Sequence, residues 1–307
     1  MLTALIGSWS RLKFPDGIAP IFIVVENDEN AASRKLVDDL SKGFADGALV
    51  YAVEPEIGIP QARNAAVRVA LGLGAKVICF VDDDETVADD WFVHLYEAHQ
   101  RSGAQLIGGP VRALIPAPAD SAYRRIIQQG ISDRYRKIEL RAAERLRTGK
   151  LGRMAILTNN WFADAEIFTR HGLSFDPELR LSGGSDTQFF RDAVEKGIRT
   201  VWAPDAVVFE TIPPERTSLA YQYRRGREQS KTSIRAKVRK RGHLRVLPVL
   251  TTSMLLRCVG ATGLLLAVPF TGGRSLVAFA RSCGWIVGRA AGFLGGRSNL
   301  YGQVTGG

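Results

Sequence analysis

The chain is poor in the residues that build metal cages and redox centres. Its 307 residues include three cysteines and four histidines. Cys79, Cys258 and Cys283 are odd in number and widely spaced, so they offer neither a disulfide framework nor a zinc spacing. Cys79 lies in an apolar run, where cysteine behaves as a small hydrophobe. His94 and His99 are five apart, outside the spacing that pairs two ligands on one helix face. His171 and His243 have no partner in sequence. There is no Ser-His-Asp arrangement, no glycine loop followed by lysine that would cradle phosphate, and no internal repeat. Residues 1–13 lack a basic start before an apolar core, so no signal peptide is expected and the body is expected to be cytoplasmic.

An even spread of charge is missing too. The net charge is +10, yet residues 224–245 hold ten Lys/Arg against Glu228 alone, and residues 123–153 hold ten against Asp133, Glu139 and Glu144. The remainder is therefore acidic, near −6. A uniform basic coat would suit nucleic acid, but these blocks lack interleaved aromatics, so no nucleic acid is expected. Two basic blocks on an acidic body suit phosphate-bearing substrates or anionic lipid.

What is present is alternation. Apolar runs at residues 21–25, 48–53, 76–81 and 105–111 read as strands, and residues 31–44, 60–73 and 89–100 as helices. That order predicts an α/β domain with a parallel, doubly wound sheet, whose ligands bind beyond the carboxyl ends of the strands. Residues 26–28 and 82–85 are acidic and sit at two such ends. Further on, residues 131–150 read as a basic helix, 186–196 as a helix after the loop 182–185, 199–202 and 206–210 as short strands, and 217–241 as a long basic helix.

Phe80-Val81-Asp82-Asp83-Asp84-Glu85 is the sharpest feature. Alone, such a run reads equally as a solvated loop or a cap for the next helix. At the end of an apolar strand, carboxylates so crowded repel one another unless a cation sits among them. Mg²⁺ takes one or two carboxylates and completes its shell with phosphate oxygens and water.

Four stretches in order resemble the family 2 glycosyltransferases: residues 23–28 (Ile-Val-Val-Glu-Asn-Asp), 58–64 (Gly-Ile-Pro-Gln-Ala-Arg-Asn), 80–85, and 183–187 (Gly-Gly-Ser-Asp-Thr). The tail with Ala203-Pro204, Glu210 and Pro213-Pro214-Glu215-Arg216 is similar to bacterial polysaccharide-assembly members. The resemblance implies a GT-A, Rossmann-like nucleotide-diphospho-sugar transferase domain over residues 1–215 and a basic, membrane-associated helical region over 216–307. It implies a metal-dependent, hexosyltransferase-like inverting enzyme with a UDP-sugar donor, Mg²⁺ or Mn²⁺, and a glycan or lipid-linked glycan acceptor in polysaccharide biosynthesis.

The site follows from the same resemblance. Asp82 and Asp84 form the DxD pair, with Asp84 and Asp82 on the metal. Glu26, Arg63, Asn64, Asp82 and Asp83 face the donor nucleotide. Asp186 is the general base, and Asn159, Asn160 and Trp161 line the acceptor side, with Trp161 reading equally as a core residue. Glu26 stands where the family has an Asp against uracil, which leaves base preference open. Ser185-Asp186 replaces the usual Glu-Asp but keeps the Asp. Members also open with an apolar strand before a first helix; residues 1–12 already resemble that helix, so the first strand is expected to be missing, either because the start lies upstream of Met1 or because the chain is a truncated form. A nucleotidyltransferase and an inactive truncated membrane-associated homologue are the rival readings.

Residues 246–270 are apolar, with Arg257 the only charge, and are long enough to cross a bilayer. Pro248 and Pro269 speak against a simple span, and the arginines of residues 275–295 suit an interfacial helix. The basic block before them fits a cytoplasmic flank, so the expected location is the cytoplasmic face of the membrane, with one or two C-terminal membrane segments.

Overall fold

The computed structural model describes residues 1–116, 119–149, 156–180 and 183–296. Ser182 of the expected loop, and Lys150 and Arg153 of the first basic block, lie outside the described residues. Contacts divide the chain into two compact units. The first takes residues 1–114, 138–180 and 185–211; the second takes 115–137, 181–184 and 212–307. The second unit thus includes three stretches that fall wholly or partly within the expected 1–215 domain.

In the first unit, α1 (Leu2–Trp9) precedes β1 (Phe22–Glu26), α2 (Arg34–Ser41), β2 (Leu49–Val53), α3 (Ile59–Gly72) and β3 (Val77–Phe80). Then come β4 (Glu85–Val87), α4 (Trp91–Ser102), β5 (Leu106–Gly108) and β6 (Val111–Leu114). The helix α5 (Ala122–Arg147) is shared between the units. After it follow β7 (Trp161–Asp164), α6 (Glu166–Thr169), α7 (Ser185–Glu195), β8 (Thr200–Trp202) and β9 (Val208–Thr211). α3 starts with Pro60 in its first turn, where the missing N–H costs nothing, and α4 ends on Gly103 in the left-handed conformation.

The sheet is mixed, which corrects the expectation of a parallel one. β1 and β2 pair in parallel, with Phe22 opposite Leu49 and Glu26 opposite Val53. The next sheet runs β3-β7-β5-β8, with β7 antiparallel to both neighbours and β8 parallel to β5. A third runs β4-β9-β6. β1 and β3 do not share a ladder. The run at 105–111 is two strands, interrupted at Gly109-Pro110: Pro110 has no N–H, and a Cβ on Gly109 would lie 2.3 Å from the Ala206 carbonyl oxygen.

The core fills both faces of the second sheet. Trp161, Phe175, Phe189, Leu106 and Ile78 pack on one side, and Phe162, Leu95, Trp91 and Val208 on the other. A smaller cluster of Ile6, Val24 and Val37 seats β1 between α1 and α2.

In the second unit, α8 (Leu219–Arg241), α9 (His243–Leu266) and α10 (Ser275–Phe293) pack together. Ser218 caps α8 by accepting from the Tyr221 N–H. Gly284, Gly288 and Gly292 recur every fourth residue of α10, and a Cβ on the first two would lie 2.0 and 2.1 Å from the carbonyl oxygens of Tyr223 and Arg227. Small residues at this spacing bring α10 backbone to backbone with α8.

Candidate active site

β3 delivers the acid run to the surface, and a tight turn follows. The Asp82 N–H donates to Glu85 Oε2 at 2.8 Å, and the Glu85 N–H donates to the Asp82 carbonyl at 3.2 Å. The Thr211 N–H of β9 donates to the Asp84 carbonyl at 2.8 Å, which pins the turn from the other side. Asp83 is exposed, while Asp82 and Asp84 are half-buried.

Arg63, on α3, reaches into this region. Its Nη2 lies 3.4 Å from Asp82 Oδ1, and its Nη1 donates to Ser185 Oγ at 3.1 Å. The guanidinium also sits 5.7 Å from the centre of the Phe175 ring. Arg63 therefore ties the acid turn to the first residue of α7, and Asp186 is the next residue. Desolvation raises the Asp82 carboxyl above its ordinary value; Arg63 opposes that, and the charges of Asp84 and Asp186 add to it. Asp82 thus feels the charges of Asp84 and Asp186, with Arg63 as the opposing cation.

These residues fit a divalent cation in a restricted sense. The described residues contain no cluster of three acidic, histidine or cysteine side chains that would cage a metal. Two aspartates on one turn, with Asp82 raised first by burial and further by the charges of Asp84 and Asp186, suit an ion that takes the rest of its shell from a ligand's phosphates.

Glu26 ends β1, where the sequence placed it. Its Oε2 accepts from the Ser33 N–H at 2.9 Å and from the Tyr51 hydroxyl. Burial, and then this bond to Glu26, push the Tyr51 phenol up to about 12. Asn27 clamps the following loop: it donates to the carbonyls of Glu54 and Glu56, each at 2.8 Å, and accepts from the Gly58 N–H at 2.7 Å. That loop leads into α3, so Asn27 positions Arg63 indirectly.

Residues 21–163 match the family described as Glycosyl transferase family 2. This stretch is a family 2 glycosyltransferase domain. The succinoglycan biosynthesis protein ExoM of Rhizobium meliloti (strain 1021) is 31% identical over 218 residues, which is 71% of this chain and 65% of that protein. The chain therefore spans just under two thirds of this relative's length. Among solved structures, GalNAc-T7 with UDP, GalNAc and Mn²⁺ aligns with 72% of this chain and 44% of its own, at 15% identity and a TM-score of 0.50. This likeness shows a GT-A-like fold. S. aureus TarS 1-349 in complex with UDP aligns with 94% of this chain and 86% of its own, at 14% identity and a TM-score of 0.48.

Not every expected residue reaches the acid turn. Asn64 exchanges two hydrogen bonds with the backbone of Phe175, at 2.8 and 2.9 Å, and so fastens α3 to the segment before Pro177. Asn160 is 2% exposed and holds three partners: the Trp91 indole N–H and the carbonyls of Pro110 and Ala206. Trp161 is 1% exposed and packs against Phe80, Phe175 and Phe189, so its ring offers no open face for a sugar. Of the three expected acceptor residues, Asn159 alone reaches the acid turn, donating to Glu85 Oε1 at 2.9 Å.

Glu85 closes the acid run. It is 1% exposed, and burial first, then the charges of Asp82, Glu210 and Asp84, hold its carboxyl well above the ordinary value. Glu210 stands opposite Glu85 in the β4–β9 register. An acid ending an acid run looks solvated in sequence. What betrays its burial is the alternation Glu85-Thr86-Val87, which turns Glu85 and Val87 to one face of a strand.

Proposed function

We propose that this chain is an inverting, metal-assisted glycosyltransferase that moves a sugar from a UDP-sugar to a glycan or lipid-linked glycan in polysaccharide biosynthesis, at the cytoplasmic face of a membrane. The Arg63 bridge carries the reading. It links Asp82 of the acid turn to Ser185 at the start of α7, the residue before Asp186. The family 2 match, the relative ExoM with its role in succinoglycan biosynthesis, and the UDP and Mn²⁺ bound to GalNAc-T7 support it.

Mg²⁺ or Mn²⁺ on Asp82, Asp84 and the donor's diphosphate would neutralise the charge that develops on the departing UDP. Glu26, held by Tyr51 and Ser33, faces the nucleobase; Arg63 compensates the carboxylates before and after the donor enters. Asp186 takes the proton of the acceptor hydroxyl while that oxygen forms its bond to the anomeric carbon. The bond to UDP breaks on the opposite face, and UDP leaves with the electron pair. Asp186 lies beyond the residues matched to the family, so its role rests on its place beside Ser185. α9 is the described helix that is long and apolar enough to cross a membrane by length and composition, and it supports membrane association.

Asp186→Asn tests the assignment. Acceptor-dependent UDP release should fall about 10²-fold or more, while calorimetric UDP binding in Mn²⁺ stays within about twofold, since this side chain is not assigned to the donor. Near-normal turnover would remove Asp186 from the base role. Failure of the unsubstituted chain to bind UDP in Mn²⁺ would remove the donor reading.

A further inference from the structure

α9 has two faces. Val246, Leu250 and Ala261 are buried, and Met254 packs against the first two. Leu255, Leu256, Val259 and Leu266 each leave about two thirds of their surface open, at 67, 68, 66 and 67%. The packed stripe runs 246, 250, 254, 261 at helical spacing; Arg257, itself exposed, lies along the same line and not on the open apolar face.

Arg257 meets α10 at Trp285. Its guanidinium lies 5.3 Å from the ring centre, and that of Arg289, one turn further along α10, lies 4.4 Å from it. Neither arginine hydrogen-bonds or ion-pairs with another described residue. Arg289 is 8% exposed, and its Nε–H has no acceptor. The indole face offsets part of the cost of two neighbouring cations. It supplies no acceptor for a buried N–H, and an orphaned donor of this kind is expensive. The missing counterpart is an anion with several oxygens, because guanidinium forks match phosphate geometry.

We propose that Arg257 and Arg289, stacked on Trp285, bind the phosphate of an anionic glycerophospholipid and so seat α9 in the headgroup layer of a bilayer. The inference rests on the membrane-facing reading given above and deepens it. Charge argues for this occupant: α9 follows residues 224–245, with ten Lys/Arg against one acid. Position argues for the interface. If α9 (His243–Leu266) crossed the bilayer, Arg257 would lie well inside the hydrocarbon beside a second uncompensated arginine, an expensive place for either. With α9 lying flat, both guanidiniums stand at phosphate depth while the open leucines enter the acyl chains.

The full chain would be floated with vesicles of phosphatidylcholine alone and with phosphatidylglycerol added. Arg257→Gln, at an exposed position that does not threaten the fold, should weaken binding to the anionic vesicles about tenfold. Lys240→Gln removes the same charge from the basic block and should weaken it no more than about threefold. Equal losses for the two variants would overturn the site and reduce it to general charge. Binding of the unsubstituted chain to neither vesicle would instead overturn the membrane reading on which the site rests. Inorganic phosphate should release the chain no better than chloride at equal ionic strength; release by low-millimolar phosphate would assign the pair to a soluble phosphate and overturn the lipid. Quenching by brominated lipids, read as the difference from Trp285→Phe, should be strongest for bromines near the headgroup. Strongest quenching from the acyl end would place α9 across the bilayer, against the proposal.

Discussion

Glu85 uses both carboxylate oxygens on the acid turn, one for the Asp82 N–H and one for the Asn159 amide. Leucine at this position would leave two donors without acceptors in a buried place, at about 1–3 kcal/mol each. Glu85→Leu should therefore lower the urea midpoint clearly and weaken UDP binding as the turn loosens. Glu85→Gln keeps an acceptor for Asp82 and lets Asn159 rotate to accept, so its stability should stay within about 1 kcal/mol of the parent. A Leu variant as stable as the Gln variant would show that the turn holds itself. Tyr51 gives a separate reading through pH. Its folded value near 12 stands above the unfolded value of about 10. The sign follows: the stabilisation is complete below pH 10 and is lost as pH rises through 12, because the unfolded chain gives up the proton first. Urea midpoints at about pH 9 and about pH 11.5 should converge in Tyr51→Phe relative to the parent; equal alkaline losses in both proteins would mean the Glu26 bond does not form. At this scale Asp82, Asp84, Glu26 and Arg63 stand out in the sequence, because charge at a strand end or after a turn advertises itself, and the fold brings Arg63 beside Asp82. Trp161 and Asn160 are ambiguous in sequence. An aromatic and an amide suit a sugar site and a core equally, and what decides between them is burial against residues far apart in sequence.

The packing of α10 on α8 is set by three glycines. A methyl at Gly288 would meet the Arg227 carbonyl oxygen at 2.1 Å, and backbone oxygen has no rotamer by which to yield. Gly260, on α9, has open space around its Cβ position. Gly288→Ala should therefore destabilise by about 1–3 kcal/mol through overpacking, whereas Gly260→Ala should gain about 0.5–1 kcal/mol of helix propensity. Thermal melts of the two variants under one condition check this, and a Gly288→Ala protein as stable as Gly260→Ala would mean the two helices are not that close. The helices and most strands were readable because the apolar period differs between them. Two features were not. β7 inserts antiparallel between β3 and β5, and its residues 161–164 lie in a stretch of mixed composition where neither period dominates. The split of β5 from β6 depends on Gly109 passing close to Ala206, a contact almost a hundred residues away that no local pattern encodes.

At the scale of the whole molecule, two forces would draw the chain to a bilayer, and salt separates them. Residues 224–245 carry a surplus of nine positive charges. Each basic residue near an anionic surface contributes about 1 kcal/mol, an attraction that fades as the screening length drops from about 8 Å at physiological salt to about 3 Å at 1 M. The open face of α9 acts differently. Leu255, Leu256, Val259 and Leu266 are about two thirds exposed in water, and burying such side chains in acyl chains is worth about 1.5–3 kcal/mol apiece when complete. That term does not depend on screening, and salt strengthens it slightly. Charge alone would give binding that high salt strips away; the apolar face predicts binding that survives it. Vesicle-bound chain washed at about 1 M salt should lose its preference for anionic over neutral lipid yet stay on the membrane until detergent is added. Substituting Leu255 and Leu256 together by serine, which leaves the basic block intact, should convert the same chain to one that salt removes. Complete release of the unsubstituted chain by salt would mean that α9 does not enter the lipid, and would leave the basic helix as the sole anchor.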